Sequence, residues 1–287
     1  MRSPAEFLQG HIPGAYSLPI FSNEERAQVG TLYKQKGKES AILLGLDLVG
    51  PKLRRFVEQT KEIAGTEKTI RLYCWRGGMR SGSMGWLLET AGFSCSLLSG
   101  GYKTFRHWTL NQFQKEYRLK ILDGFTGSGK TEHLHTLRLQ GEQVIDLEDI
   151  AQHRGSSFGH LAFTRQPSCE HFENTLAYQL SQYAPSVPIW IENESRAIGK
   201  CRIPQHLWEQ MINSPKIWLE SSKKDRIQRL MASYGHYPPQ ELVTATQRLV
   251  KKLGAVRTKQ ITTCIECGDI EQAIILMMEY YDKAYSA

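Results

Sequence analysis

Short apolar runs alternate with longer polar and amphipathic stretches along the second half of this chain. Four of these runs predict β-strands, at residues 119–123, 143–147, 187–192 and 216–220. The stretches between the runs predict helices, the first of them at Glu132–Leu139. Strands that alternate with helices predict a parallel sheet covered by helices on both faces. From Ser222 onward the pattern is mostly helical, and Asp269 is placed to cap a final helix that reaches Tyr281.

The first part of the chain has a similar pattern. Thr69–Tyr73 predicts a strand, Ser81–Thr90 a helix, and Lys103–Glu116 a helix that closes a first domain. The chain has 287 residues, which exceeds the commonest size of a single domain. We therefore predict an α/β protein with two domains, residues 1–115 and 116–287, and a boundary near residues 110–118.

Composition narrows the class of protein. Hydrophobic residues make up 40% of the chain, and the longest apolar run, Ala41–Gly50, is too short to span a bilayer and contains Asp47. The opening residues, with Arg2, Pro4 and Glu6, do not resemble a signal peptide. Six cysteines show neither a paired secretory pattern nor a complete zinc set, so we predict no metal site and a reducing compartment. These features predict a soluble, cytoplasmic protein with no membrane partner.

The strictest motif follows the strand predicted at residues 119–123. Residues 124–131 fit G-x-x-x-x-G-K-[ST] at every fixed position. Glycines in such a loop let backbone amides converge on a phosphate, and the helix that follows favours an anion at its N-terminus. Lys130 would reach the outer phosphate oxygens, and the hydroxyl of Thr131 would ligate Mg²⁺ if a metal is used. The phosphate-binding candidates are Gly124, Gly127, Ser128, Gly129, Lys130 and Thr131.

A second loop offers a sulfur nucleophile. Residues 74–81 read Cys-Trp-Arg-Gly-Gly-Met-Arg-Ser and lie between a predicted strand and a predicted helix. A cysteine that faces the amides of such a loop has a lowered pKa, and the charges of Arg76 and Arg80 favour the thiolate further. The simpler interpretation, a buried structural Cys74, fits poorly with two glycines and two arginines so close by.

Two further segments contain candidate site residues. Ile189–Glu192 is an apolar run that ends in a carboxylate, so Glu192 would either hold Mg²⁺ through water or be a solvated strand end. His153, Arg154 and Ser156 lie in a polar stretch that either folds over the phosphate site or forms a surface loop.

These motifs carry a family resemblance. Residues 74–81 resemble the active loop of rhodanese-type sulfurtransferases, and Gly10–Ala15 and Leu98–Tyr102 resemble the signatures near the two ends of that domain. A rhodanese-like domain followed by a P-loop domain is the arrangement of the tRNA 2-selenouridine synthase family. Further segments that resemble this family, and that extend the likeness over almost the whole chain, are 33–37, 146–148, 153–159, 192–199 and 279–282.

The resemblance implies a fold and a reaction. The fold is a rhodanese-like domain followed by a P-loop NTPase-like parallel-sheet domain with a helical C-terminal part. The reaction converts 2-thiouridine at the tRNA wobble position to 2-selenouridine, with selenophosphate as the selenium donor, after geranylation of the sulfur by geranyl diphosphate. The implied partners are the anticodon loop of tRNA, small phosphorylated substrates and an enzyme that supplies selenophosphate. No tightly bound cofactor is implied, and Mg²⁺ is compatible with the site.

Residue roles also follow from the resemblance. Cys74 would handle the chalcogen, Arg76 and Arg80 would hold the anion, and the P-loop would bind a diphosphate. The candidates for residues beside the substrate or Mg²⁺ are Glu192, Glu194, Arg196 and Arg154.

The chain also departs from the family pattern. Members usually begin with an apolar strand that ends in Asp-x-Arg, and they continue beyond residues 279–282, so both ends of this chain look clipped. We therefore expect the first domain to lack its first strand, which would leave neighbouring backbone groups unpaired.

Other interpretations stay open. The Cys-x5-Arg spacing also occurs in protein phosphatases of the rhodanese fold, but Tyr73 stands where those enzymes carry a histidine. A rhodanese sulfurtransferase fused to a nucleotide-dependent kinase or ATPase is a second alternative, and a tRNA-binding protein with impaired catalysis is a third. ATP turnover, tRNA co-purification and geranyl diphosphate binding would separate them.

The net charge of +7 is compatible with a polyanionic partner. One basic stretch contains no acidic residue from position 242 to position 265, and it would either contact the tRNA backbone or form a solvated helix face. Its basic residues are Arg248, Lys251, Lys252, Arg257 and Lys259. A second basic cluster comprises Lys52, Arg54 and Arg55.

Overall fold

The computed structural model describes residues 1–155, 158–159 and 165–285. The chain divides into two compact units, residues 1–112 and 113–287. Both units are α/β, as the sequence predicts.

Unit 1 contains one short parallel sheet and five α-helices. Its elements, in chain order, are α1 (Pro4–Gln9), α2 (Asn23–Val49), a 3-10 turn (Gly50–Lys52), α3 (Leu53–Ala64), β1 (Thr69–Leu72), α4 (Met79–Thr90), β2 (Ser94–Leu97) and α5 (Gly101–Gln112). Strands β1 and β2 pair in parallel, from Thr69 opposite Ser94 to Leu72 opposite Leu97. The core that supports this sheet comprises Leu18, Ile20, Phe21, Phe56, Leu72, Met84, Leu88 and Phe93.

The first two helices of unit 1 begin with the same N-terminal capping motif. The hydroxyl of Ser3 accepts a hydrogen bond from the Glu6 amide, and the Glu6 carboxylate accepts one from the Ser3 amide. Ser22 and Glu25 form the equivalent pair at the start of α2. Such capping boxes satisfy two amides that the first helical turn leaves unpaired. Helix α2 is interrupted at Gly37, whose φ of 85° lies in the left-handed region.

Unit 2 is built on a four-stranded parallel sheet. Its strands are β3 (Leu119–Asp123), β4 (Gln143–Ile145), β5 (Ile189–Glu192) and β8 (Lys216–Trp218), in the order β4-β5-β3-β8. Ile121 and Leu122 point to opposite faces of β3 and are both fully buried, so helices and loops cover the sheet on both sides. Two short strands, β6 (Ala197–Ile198) and β7 (Cys201–Arg202), form a separate antiparallel pair that the sequence pattern does not predict.

The four predicted strands of unit 2 are confirmed, although three of them are shorter than the apolar runs suggest. Strand β4 ends at Ile145 because Asp146 caps the next helix, and the Asp146 carboxylate accepts a hydrogen bond of 2.9 Å from the Asp149 amide. The helices that accompany the sheet are α6 (Lys130–Leu139), α7 (Leu147–Ala151), α8 (Cys169–Ser181) and α9 (Gln205–Asn213).

The rest of unit 2 is helical, as predicted. Its helices are α10 (Lys223–Tyr234), α11 (Pro239–Gln247), α12 (Val250–Leu253), α13 (Ala255–Glu266) and α14 (Ile270–Tyr285). They enclose their own apolar core, which includes Leu242, Ile261 and Met277. Asp269 caps the last helix by accepting a hydrogen bond of 3.0 Å from the Gln272 amide. Among the residues that the structure describes, no helix has the length and apolarity needed to cross a membrane.

Candidate functional site

Cys74 lies two residues beyond the end of β1, at the mouth of the loop that leads into α4. The start of α5 fixes this loop from the other side. The amide of Tyr102 donates a hydrogen bond of 2.8 Å to the carbonyl of Cys74, and the amide of Lys103 donates one of 2.9 Å to the carbonyl of Trp75. The segment Leu98–Tyr102, which sequence analysis recognised as a domain signature, therefore holds the cysteine loop in place.

Glycine is required where these two segments meet. A Cβ atom on Gly77 would lie 2.7 Å from the Leu98 carbonyl oxygen, and one on Gly101 would lie 2.5 Å from the Cys74 carbonyl oxygen. Both glycines also have positive φ, at 65° and 61°. The close approach of these two backbone segments thus fixes the conformation of the cysteine loop.

The environment of the Cys74 sulfur favours the thiolate. Burial raises the pKa of this thiol, but the hydrogen bonds that it receives outweigh burial and hold the pKa below its usual range. The donors are the hydroxyl of Ser81, 3.3 Å from Sγ, and the amides of Ser81, Arg76 and Gly78. A lower pKa increases the fraction of thiolate, which is the nucleophilic form of cysteine.

The two predicted anion-holding arginines differ in their surroundings. The guanidinium of Arg80 is held 2.9 Å from the Glu6 carboxylate, which also pairs with Arg26 at 3.1 Å. Burial raises the pKa of Glu6, but the charge and hydrogen bond of Arg80 outweigh it and lower the pKa. The side chain of Arg76 is exposed. An anion that approaches Cys74 would therefore compete with Glu6 for Arg80, while Arg76 faces solvent.

The P-loop of unit 2 joins β3 to α6. The amide of Gly124 bonds the Asp123 carboxylate at 2.8 Å, and the ammonium of Lys130 donates a hydrogen bond of 2.9 Å to the carbonyl of Gly124. Gly127 and Gly129 have φ angles of 77° and 91°, which turn the loop back on itself. The six predicted phosphate-binding residues lie in this loop and at the start of α6, and five of them, from Gly127 onward, line a cleft of about 570 Å³.

Two arginines of α10 contact the P-loop, and one of them, Arg229, also lines the cleft. Arg226 donates a hydrogen bond of 2.9 Å to the carbonyl of Thr126, and its guanidinium forms a two-pronged ion pair with Asp282 of α14, at 3.0 and 2.6 Å. Arg229 bonds Glu132 at 3.1 Å and the carbonyl of Ser128 at 3.3 Å. Sequence reasoning missed both arginines, because α10 lies about a hundred positions beyond the motif.

Three carboxylates converge beside the P-loop. One oxygen each of Glu148, Glu192 and Glu194 lies within 4.8 Å of the others. Glu192 is 1% exposed, and its Oε1 atom has no hydrogen-bond partner within the described residues. Burial, followed by the neighbouring carboxylates, raises the pKa of Glu192 well above its usual range and the pKa of Glu194 to about 7. Oxygen ligands at this spacing, one of them buried and unsatisfied, fit a divalent cation such as Mg²⁺.

Of the other predicted site residues, some line the cleft and others do not. Arg154 lines the cleft, with its guanidinium 5.6 Å from the ring centre of Tyr234. Arg196 does not line it, and its Nε instead donates to the carbonyl of Ile203 at 3.4 Å. His153 is buried, and Ser156 lies outside the described residues. Glu148, which the sequence indicates only as part of a segment that resembles the family, belongs to the site because it follows β4 of the same parallel sheet.

The basic stretch lies on two helices and on the residue that follows α11. Lys251 and Lys252 on α12 and Lys259 on α13 are exposed, as is Arg248, which follows α11. Arg257 is partly buried and lies 3.7 Å from Glu279 of α14. The sequence shows no acid near this run, but folding brings one to Arg257, so its charge is partly offset. In the second basic cluster, Lys52 pairs with Glu25 and Arg54 with Glu58.

These features define the class of protein: a rhodanese-like unit with an activated cysteine, joined in one chain to a P-loop unit with an acidic cluster. Comparison with known families agrees. Residues 1–107 match the rhodanese-like domain, and residues 117–247 match the tRNA 2-selenouridine synthase AAA domain.

Curated relatives narrow the class. The tRNA 2-selenouridine synthase of Pseudomonas syringae pv. syringae is 35% identical over 99% of this chain and 86% of its own length. That of Nitrosomonas europaea is 39% identical over 82% of this chain, which spans 62% of the relative. A Pseudomonas putida synthase is 40% identical over 82% of this chain and 64% of its own length. The chain belongs to the tRNA 2-selenouridine synthase family.

Proposed function

We propose that the protein is a tRNA-modifying transferase that converts wobble 2-thiouridine to 2-selenouridine. Selenophosphate would supply the selenium, and geranyl diphosphate would first alkylate the sulfur. The observation that carries this proposal is the presence, in one chain of this family, of a thiol with a lowered pKa and a P-loop cleft. Because tRNA is the substrate, we expect the protein to act in the cytoplasm, supplied by a selenophosphate-forming enzyme.

In unit 2 the P-loop amides and Lys130 would bind the diphosphate of the prenyl donor. Lys130 would exchange its bond to the Gly124 carbonyl for one to a phosphate oxygen. The thiouridine sulfur would attack the first carbon of the geranyl group, the carbon–oxygen bond would break, and the diphosphate would leave with the electron pair. Groups that stabilise the leaving diphosphate lower the barrier to this step.

Charge balance supports a cation in this cleft. A diphosphate placed near Glu148, Glu192 and Glu194 would meet like charge unless a cation lay between them or the carboxyls were protonated. Mg²⁺ held by these carboxylates and by the Thr131 hydroxyl would supply positive charge to the diphosphate when bound.

In unit 1 Cys74 is the group proposed to handle selenium. The donors around Sγ that favour its thiolate would also stabilise the negative charge of a selenium-containing anion held beside the sulfur. Arg76 and Arg80 would attract the selenophosphate anion, Arg80 after release from Glu6.

The test uses purified protein, a tRNA anticodon stem-loop that carries 2-thiouridine, and titration with geranyl diphosphate and with ATP. We expect geranyl diphosphate to bind, Lys130→Ala to weaken that binding by about 10- to 100-fold, and geranyl transfer to fall with it. Exposed Lys283→Ala, on α14, is the matched control. Unchanged binding of geranyl diphosphate together with loss of ATP binding would instead favour the nucleotide-dependent kinase or ATPase.

A further inference from the structure

An apolar cavity lies directly beside the P-loop cleft. It is lined mainly by helices α10, α11, α13 and α14, and its lining is almost entirely aliphatic and aromatic carbon and thioether groups. Ile261, Ala273 and Met277 form part of its wall and are at most 9% exposed, so this wall belongs to the helical core of unit 2.

The cavity and the phosphate cleft adjoin each other. Four residues line both of them: Thr126, Leu230, Tyr234 and Tyr281. Thr126 is itself part of the P-loop, so a molecule with a diphosphate on the loop amides could extend an apolar tail past these residues into the cavity. Because the two spaces adjoin, a single ligand could fill the cavity and bind the P-loop at the same time.

The chemistry of the wall selects a hydrocarbon over a nucleoside. The hydroxyl of Thr246, one of the few polar groups in the lining, already donates a hydrogen bond of 2.8 Å to the Leu242 carbonyl of its own helix. A purine or ribose in this space would leave several donors and acceptors without partners, which disfavours binding strongly. A branched hydrocarbon chain needs no such partners.

The cavity can also adapt in size. Its volume is about 80 Å³, which is less than the roughly 150 Å³ of an engineered cavity that holds benzene. Met277 and Met278 are both in the wall. Because methionine is unbranched and has three rotatable bonds, modest rotations of these side chains would lengthen the space for a longer chain.

We propose that this cavity binds the prenyl tail of the diphosphate donor and that its inner wall, at Ala273 and Met277, sets the chain length that the protein accepts. The inference rests on the proposed function, since it assumes a prenyl diphosphate at the P-loop. It adds a binding site for the tail in α13 and α14, outside the P-loop motif.

The experiment compares four ligands by calorimetry on the full chain: inorganic diphosphate and the dimethylallyl, geranyl and farnesyl diphosphates. The wild type should bind geranyl diphosphate at least about 100-fold more tightly than inorganic diphosphate, because buried methylene groups each add affinity. Ala273→Phe should remove most of this difference while affinity for inorganic diphosphate stays within about twofold. Met277→Ala should shift the preference toward farnesyl diphosphate by about tenfold.

Controls separate this inference from the proposed function. Val256→Phe places the same bulk on the exposed face of α13, where Val256 is 75% exposed, and should change none of the four affinities. Lys130→Ala should weaken all four ligands alike. If the wild type prefers geranyl diphosphate but neither cavity variant alters that preference, the tail-binding site is wrong and the proposed function stands. If the wild type does not bind geranyl diphosphate at all, both are wrong.

Discussion

Cys74 gains its reactivity from a balance between two opposed effects. Its burial disfavours a charged sulfur, whereas the Ser81 hydroxyl and three backbone amides favour it, and the second effect is larger. The other buried cysteine of the described residues, Cys201, has no such donors, and burial raises its pKa to about 12. The fold therefore favours the thiolate of one buried cysteine and disfavours that of the other.

Removal of the Ser81 donor should raise the pKa of Cys74. We expect Ser81→Ala to raise the pH midpoint of Cys74 alkylation by iodoacetamide, measured by peptide mass spectrometry over a series of pH values. Ser83→Ala, which removes a hydroxyl bonded to Met79 on the exposed side of the same helix, should leave the midpoint unchanged. Equal midpoints for the wild type and Ser81→Ala would show that the amides alone favour the thiolate.

The sulfur itself should be indispensable for selenium incorporation. Cys74→Ser replaces a thiol of lowered pKa by an alcohol that stays protonated, so selenation of a 2-thiouridine stem-loop should be lost by more than about 100-fold. Geranylation should persist, because the proposed route needs no protein thiol for that step. Nucleoside mass spectrometry measures both products, and full selenation by the serine variant would contradict the assignment.

The raised pKa of Glu194 makes the stability of the protein depend on pH. Its pKa rises from 4.5 to about 7 in the fold, so the native state holds a proton that the unfolded state has lost between these values. Stability therefore falls as pH rises through this window. Without metal, Glu194→Gln should increase the free energy of unfolding by about 1–3 kcal/mol at pH 8 and by little below pH 4.5.

Urea unfolding at several pH values measures the effect of Glu194→Gln. The exposed Glu266→Gln, on α13, is the charge-matched control. Added Mg²⁺ should stabilise the wild type at pH 8 more than it stabilises the Glu194→Gln variant, since the ion would offset the same repulsion. An identical gain at pH 8 and pH 4 would contradict the linkage.

At the scale of elements, the cysteine loop depends on a contact between two backbone segments. Gly101→Ala would drive a Cβ into the Gly77 amide and the Cys74 carbonyl, in addition to the cost of its φ of 61°. We expect it to destabilise unit 1 by about 2–4 kcal/mol and to slow Cys74 alkylation. Gly92→Ala has a φ of 89° but meets nothing within 4 Å, so it should cost only about 1 kcal/mol. Thermal unfolding of the two variants compares them, and equal losses would mean that the contact contributes nothing.

The sequence was most informative where a local pattern decides the structure. Strand β3 and its P-loop were predicted to the residue, because an apolar run and a glycine motif are both local signals. Strand β4 was predicted too long, since the capping role of Asp146 depends on where the next helix starts. The cluster of Glu148 with Glu192 could not be read from a pattern, because only the strand order β4-β5 places residues 44 positions apart side by side.

For the molecule as a whole, tRNA binding should depend on salt through the exposed lysines of unit 2. Lys251→Gln with Lys252→Gln should flatten the log–log dependence of tRNA affinity on salt by up to about two units, equally for cognate and non-cognate tRNAs. Arg257→Gln should have a smaller effect, because Glu279 already offsets its charge. Filter binding at several salt concentrations measures the slopes. Unchanged slopes would make this run a solvated helix face.

Arg226 couples the motion of the P-loop to that of α14. It holds the Thr126 carbonyl of the P-loop and the Asp282 carboxylate of α14 at the same time, so neither can shift far without the other. A ligand that makes the loop rigid should therefore slow hydrogen–deuterium exchange of amides in α14, although they lie some 150 positions further along the chain. Arg226→Lys keeps the charge but loses the two-pronged contact, and it should uncouple the two. The last helix would then serve as a remote reporter of what the phosphate loop holds.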